Sequence, residues 1–145
     1  MQKIVTFLWF EHQAEEAARF YTGIFPNSRI KHSSPMITGF ELDGQTFMAL
    51  NGNRNMEFTE AISLYVHCST QEEVDHYWNA FLAEGSASMC GWLKDKYGVS
   101  WQIIPDQLST LLNDPDKTKA ERVMQAMLCM RKIDIQGLQD AYDGK

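Results

Sequence analysis

Cys90-Gly91-Trp92-Leu93-Lys94-Asp95-Lys96-Tyr97-Gly98-Val99-Ser100-Trp101-Gln102-Ile103-Ile104-Pro105 reads as a strand, a tight turn and a second strand. Leu93 leads into the turn, Asp95 and Gly98 supply turn chemistry, and the β-rich run Val99 to Ile104 is closed by Pro105. Lys94-Asp95-Lys96 reads as an exposed turn. An earlier stretch, Phe40-Glu41-Leu42-Asp43-Gly44-Gln45-Thr46-Phe47-Met48-Ala49-Leu50, has the same plan: strand, Asp and Gly, second apolar strand. A duplicated strand–turn–strand marks an internal repeat, and the repeat decides the fold.

Each hairpin is preceded by a strand and a helix. Ile4 to Phe10 is a near-continuous apolar run, which predicts a strand buried on both faces. Ala17, Phe20, Tyr21 and Ile24 follow at helical spacing, with Glu15 and Glu16 in the first turn, where acids suit the helix dipole. Pro26-Asn27-Ser28 ends that helix, and a further strand falls between Ser28 and Ile37. Asn51 to Thr59 is polar and reads as a linker.

The pattern then restarts. Ile62 to His67 alternates as a strand does, Thr70 and Glu73 form a capping box, and Val74, Tyr77, Trp78, Phe81 and Leu82 line one helix face up to Gly85. At a shift of 57, Phe20 falls on Tyr77, Tyr21 on Trp78 and Ile24 on Phe81; at a shift of 54, Gly44 falls on Gly98 and Phe47 on Trp101. The chain is therefore an α+β domain over 1–145, with one βαβββ module over 1–52 and a second over 60–105. Residues 106–145 form a helical extension, with helices over 107–112, 120–131 and 134–142. Met124, Met127 and Met130 read there as packing filler.

Composition bounds the function. The 145 residues are 44% hydrophobic, enough for a core, and the net charge of −6 with no basic run excludes nucleic acid as the expected partner. The apolar N-terminus meets Glu11 and His12 too soon for a membrane span, so no membrane partner is expected. Cys68, Cys90 and Cys129 form no CxxC, and free thiols fit a cytoplasmic protein.

Several stretches resemble the PhnB-like family, whose domain carries the label 3-demethylubiquinone-9 3-methyltransferase, within the vicinal oxygen chelate superfamily. They are Phe7-Leu8-Trp9-Phe10, Ala14-Glu15-Glu16-Ala17, Phe20-Tyr21, Ile24-Phe25-Pro26-Asn27-Ser28, Phe47-Met48-Ala49-Leu50-Asn51-Gly52, Cys90-Gly91-Trp92-Leu93-Lys94-Asp95 and Val99-Ser100-Trp101-Gln102. The resemblance runs from about Lys3 to Tyr142. It implies two modules curling their strands into a mixed-sheet cup, as in glyoxalase and bleomycin-resistance proteins, and it implies a homodimer.

In the metal-binding members of that superfamily the first and last strands of each module supply the ligands. Those positions fall here on Ile4 or Val5, Ala61, Met48 and Gln102. Of these only Gln102 offers an oxygen, and divalent sites are built from His, Cys, Asp and Glu, so no metal and no other cofactor is expected. The chain also has no GxG, which argues against the Gly-rich turn of common S-adenosylmethionine enzymes.

The expected ligand is a small apolar or aromatic molecule held in a metal-free cup. The candidate lining is Gln102, Met48, His67, Trp9, Trp92 and Cys90. Gln102 is an amide in an apolar run and needs a partner, internal or bound. His67 shares a strand face with Tyr65 and Ser63 and is either a local hydrogen-bonding residue or a proton shuttle. Cys90 needs a base or a helix N-terminus to become a nucleophile, and the sequence names neither. Alternative readings of the same cup are a methyltransferase-like or isomerase/lyase enzyme and a drug-sequestering protein.

Overall fold

The computed structural model describes residues 1–145 as two compact units, Met1–Glu57 and Phe58–Lys145. In the first unit β1 (Thr6–Phe10) is followed by α1 (Ala14–Thr22), β2 (Arg29–Ser33), β3 (Ile37–Leu42) and β4 (Gln45–Asn51). The sheet order is β1-β4-β3-β2, with β1 and β4 parallel and the others antiparallel. Tyr21 of α1 stacks on Phe40 of β3, and Phe40 on Phe47 of β4, so the helix covers one sheet face with aromatic rings. Asn51 ends β4 and reaches back to the helix start: its Oδ1 accepts from the Ala14 amide at 2.9 Å. A residue that reads as the head of a linker is thus the cap of α1, which has no cap from its own flank.

The second unit repeats the plan with β5 (Leu64–Cys68), α2 (Gln71–Leu82), β6 (Ser86–Ala87), β7 (Trp92–Lys94) and β8 (Ser100–Pro105), in sheet order β5-β8-β7-β6. The Thr70 hydroxyl accepts from the Glu73 amide at 3.1 Å, and the Glu73 carboxylate accepts from Ser69 rather than from Thr70. The predicted box therefore forms one residue wider. Phe81 of α2 stacks on Trp101 of β8 at 4.2 Å, which is the second module's version of the ring contacts in the first.

Three helices close the second unit: α3 (Asp106–Leu112), α4 (Lys117–Leu128) and α5 (Ile135–Asp143). Their buried side chains Leu108, Val123 and Leu138, with Ile133 from the segment between α4 and α5, gather around Ile104 at the end of β8, with Met127 and Met130 packed alongside. The segment between α4 and α5 is tied down at both sides. Met130 and Arg131 carbonyls accept from the amides of Cys90 and Gly91, while the Gln71 side chain donates to Ile133 O and accepts from Ile135 N. No helix is long and apolar enough to cross a membrane.

Two expectations fail on burial. The first strand is not buried on both faces: Ile4 lies before it at 87% exposure, and Phe7 is 49% exposed. Helix α1 covers one face only, and β1 is an edge strand, so the apolar run overstates its burial. Nor is Lys94-Asp95-Lys96 an exposed turn. Asp95 is buried, its Oδ1 accepting from Tyr97 N at 2.8 Å and Val99 N at 3.1 Å and its Oδ2 from Trp101 Nε1 at 2.9 Å. The hairpin folds Trp101 back over its own turn, and the carboxylate becomes the turn's internal hub.

Candidate functional site

Alternation along β8 divides the second sheet into two faces. Trp101 and Ile103 are buried on the α2 side, whereas Ser100, Gln102 and Ile104 point away from it. The register adds Trp92 opposite Gln102 and Lys94 opposite Ser100 on β7, and Tyr65 opposite Gln102 and His67 opposite Ile104 on β5. The extension helices cover this face at Ile104, Ser100 is buried as well, and Tyr65 and His67 stay exposed.

Four of the six residues expected from the sequence belong to the second unit. Gln102 is half-buried and its Nε2 donates to the Ser63 hydroxyl at 2.9 Å, so the amide has an internal partner. The exposed His67 has its Nδ1 3.0 Å from Asp106 Oδ1, at the start of α3, and its ring meets that of Tyr65 edge-on at 4.8 Å. Burial raises the pKa of the Tyr65 phenol, and the Asp106 charge adds to the effect. Cys90 sits at φ +60 where the chain enters β7. Cys68 faces the core instead, and burial pushes its thiol up to about 12, away from reactivity.

Trp92 borders a pocket of about 290 Å³ on this face. Its other walls are Glu60, Ser86, Ala87, Ser88, Leu93, Lys94 and Ser100. Sequence reasoning missed Ser100, Lys94 and Glu60. Only the β7–β8 register sets Lys94 beside Ser100, and Glu60 reaches Lys94 from the segment before β5 as an ion pair. That hydrogen bond from Lys94 holds the Glu60 carboxyl below its ordinary range.

The remaining two expected residues lie in the first unit. Met48 is half-buried and pairs with Phe7 across the parallel ladder. Trp9 is committed structurally: its Nε1 donates to Arg54 O at 2.8 Å and its ring lies over Gly52, where a Cβ would come within 2.1 Å of it. The strands begin at Thr6 and Leu64, so Ile4, Val5 and Ala61 lie outside them. The residues opposite Met48 and Gln102 are instead Phe7 and Tyr65. Phenyl, thioether, amide and phenol do not suit a divalent ion, and nowhere in the chain do three His, Cys, Asp or Glu side chains gather as a metal site needs.

The model of the family described as 3-demethylubiquinone-9 3-methyltransferase matches residues 2–104, both βαβββ modules and no more. The chain belongs to that family. Among solved structures, a PhnB protein from Bacillus cereus is 40% identical, with a TM-score of 0.65, over 72% of this chain and 99% of that one. The fosfomycin resistance protein FosX from Listeria monocytogenes shares the fold at 17% identity and a TM-score of 0.54, covering 70% of this chain and 89% of that one. A glyoxalase/bleomycin resistance protein from Albidiferax ferrireducens does so at 14% and 0.51, covering 69% and 95%. No curated protein matches the chain.

This PhnB-like protein of the vicinal oxygen chelate superfamily therefore carries the two mixed sheets of its relatives. Its extension, including Asp106, lies beyond the residues that the family model matches. The partner of His67 thus lies two residues beyond the matched stretch.

Proposed function

We propose that this PhnB-like protein binds a small apolar or aromatic molecule on the open face of its second sheet, without calling on a metal. The observation that carries the reading is the pocket walled by Trp92, which adjoins Gln102 through the ladder. At about 290 Å³ it lies at the lower end of ligand-site volumes, which suits a molecule of one or two rings. Met48 and Trp9 offer an apolar surface on the first module's sheet. The homodimer that the family resemblance implies, and a cytoplasmic location suited to the exposed free thiol of Cys129, complete the proposal.

Indole is a neutral aromatic probe for this reading. In an amide NMR titration it is expected to shift the signals of Trp92, Gln102 and Lys94, and Trp92→Ala is expected to weaken binding about tenfold. Shifts confined to other surfaces, or none at all, would sink the proposal.

A second reading, proton transfer of the isomerase or lyase kind, is favoured by the His67–Asp106 pair. A carboxylate on Nδ1 orients the ring and leaves Nε2 to accept or give a proton. On that reading His67→Gln lowers the turnover of any substrate bound by this face at least about 100-fold, with indole binding unchanged. Turnover that survives the substitution discards it.

A further inference from the structure

Among buried side-chain polar atoms, only Ser100 Oγ and Gln107 Oε1 have no hydrogen-bond partner. Ser100 is 2% exposed and borders the Trp92 pocket. A buried hydroxyl left unmatched is costly, because it has given up water for nothing. Its residue pairs across the ladder with Lys94, which carries the one ammonium group of the pocket wall, and Ser86 and Ser88 add hydroxyls to the same wall. The site is thus rich in donors. Its only carboxylate, that of Glu60, is already drawn onto Lys94.

Glu60 approaches Lys94 from outside the sheet, and its side chain is 60% exposed. Such an ion pair is weak and exchangeable, since water can take over either charge at little cost. Trp92 adds apolar wall, suited to a ring.

We infer that this pocket takes a small aromatic carboxylate, whose charged group replaces that of Glu60 on Lys94 and accepts the Ser100 hydroxyl, while its ring lies against Trp92. Glu60 is then an internal stand-in for the ligand: it neutralises Lys94 in the free protein and competes with the ligand for it. This rests on the reading of the second sheet's open face as the binding surface and adds the chemical class of what binds.

Phenylacetate and its neutral counterpart phenylacetamide form the test, followed by amide NMR on the full chain. Phenylacetate should bind about tenfold more tightly than the amide, because a charge-assisted contact replaces a neutral one. Glu60→Gln removes the competitor at an exposed position, so phenylacetate affinity rises about two- to fivefold and that of phenylacetamide stays as it was. Lys94→Met abolishes the preference for the acid, and Ser100→Ala weakens the acid more than the amide. Equal binding of acid and amide with the Trp92 signals shifted would overturn the carboxylate inference and leave the aromatic reading standing. An unchanged phenylacetate affinity in Glu60→Gln would overturn it too. No shift on β7 or β8 with either probe would overturn both.

Discussion

Asp95→Ala is expected to destabilise the second unit by about 3–5 kcal/mol, because it strands three donors at once. The Tyr97 and Val99 amides and the Trp101 indole N–H all end on this one carboxylate. Trp101 is 2% exposed, so water cannot take over its N–H without opening the core. Each bond to a charged acceptor is worth roughly 1.5–3 kcal/mol, and the three are not independent. Trp101→Phe removes one of these bonds while keeping a ring against Phe81, and should cost less than Asp95→Ala. Urea unfolding followed by tryptophan fluorescence measures both. A loss below about 1 kcal/mol for Asp95→Ala would show that the carboxylate is not the hub of the turn.

Gly85→Ala should cost about 3 kcal/mol, at the upper end of what overpacking exacts. A Cβ there would stand 2.3 Å from the Lys94 carbonyl oxygen, 2.8 Å from that of Phe81 and 3.2 Å from the Asp95 Cα. All three are backbone atoms, so no side chain can swing aside, and β6 must lift from β7. Gly98→Ala is the informative contrast. At φ +89 it has only backbone strain to bear, with nothing within 4 Å of the added carbon, and about 1–2 kcal/mol is expected. Hydrogen exchange separates the two: Gly85→Ala frees the amides of Ser86 to Lys94, while Gly98→Ala leaves them protected. Equal protection in both variants would mean that β6 is not clamped at this point.

The two modules were legible because both helices and both hairpins carry their period in single residues. Ala17, Tyr21 and Ile24 are buried as their spacing requires, and so are Val74, Tyr77 and Phe81. The second hairpin's role was harder to read. Asp95 between two lysines has the composition of a solvated turn, and only Trp101 returning over the turn makes it a core residue. Likewise a serine in a β-rich run gives no sign that its hydroxyl will be buried without a partner, since that depends on what β6 and β7 leave open beside it. Ile4 to Phe10 misled in the opposite direction. An apolar run predicts burial only where something covers both faces, and neighbouring elements, not the run itself, decide that.

The backbone bonds that join Cys90 to Met130 and Gly91 to Arg131 also set an order of events during synthesis. Arg131 is made forty residues after Gly91, which at about 5–20 residues per second is roughly 2–8 s later. Through that interval the amides that lead into β7 have no partner, and Ile104, once made, has no Ile133 or Leu138 to cover it. Every strand pairing of the first unit's sheet, by contrast, lies within residues already made. The nascent chain therefore spends seconds with one finished half and one half-open sheet, and it is in that window that a chaperone would find its apolar edge.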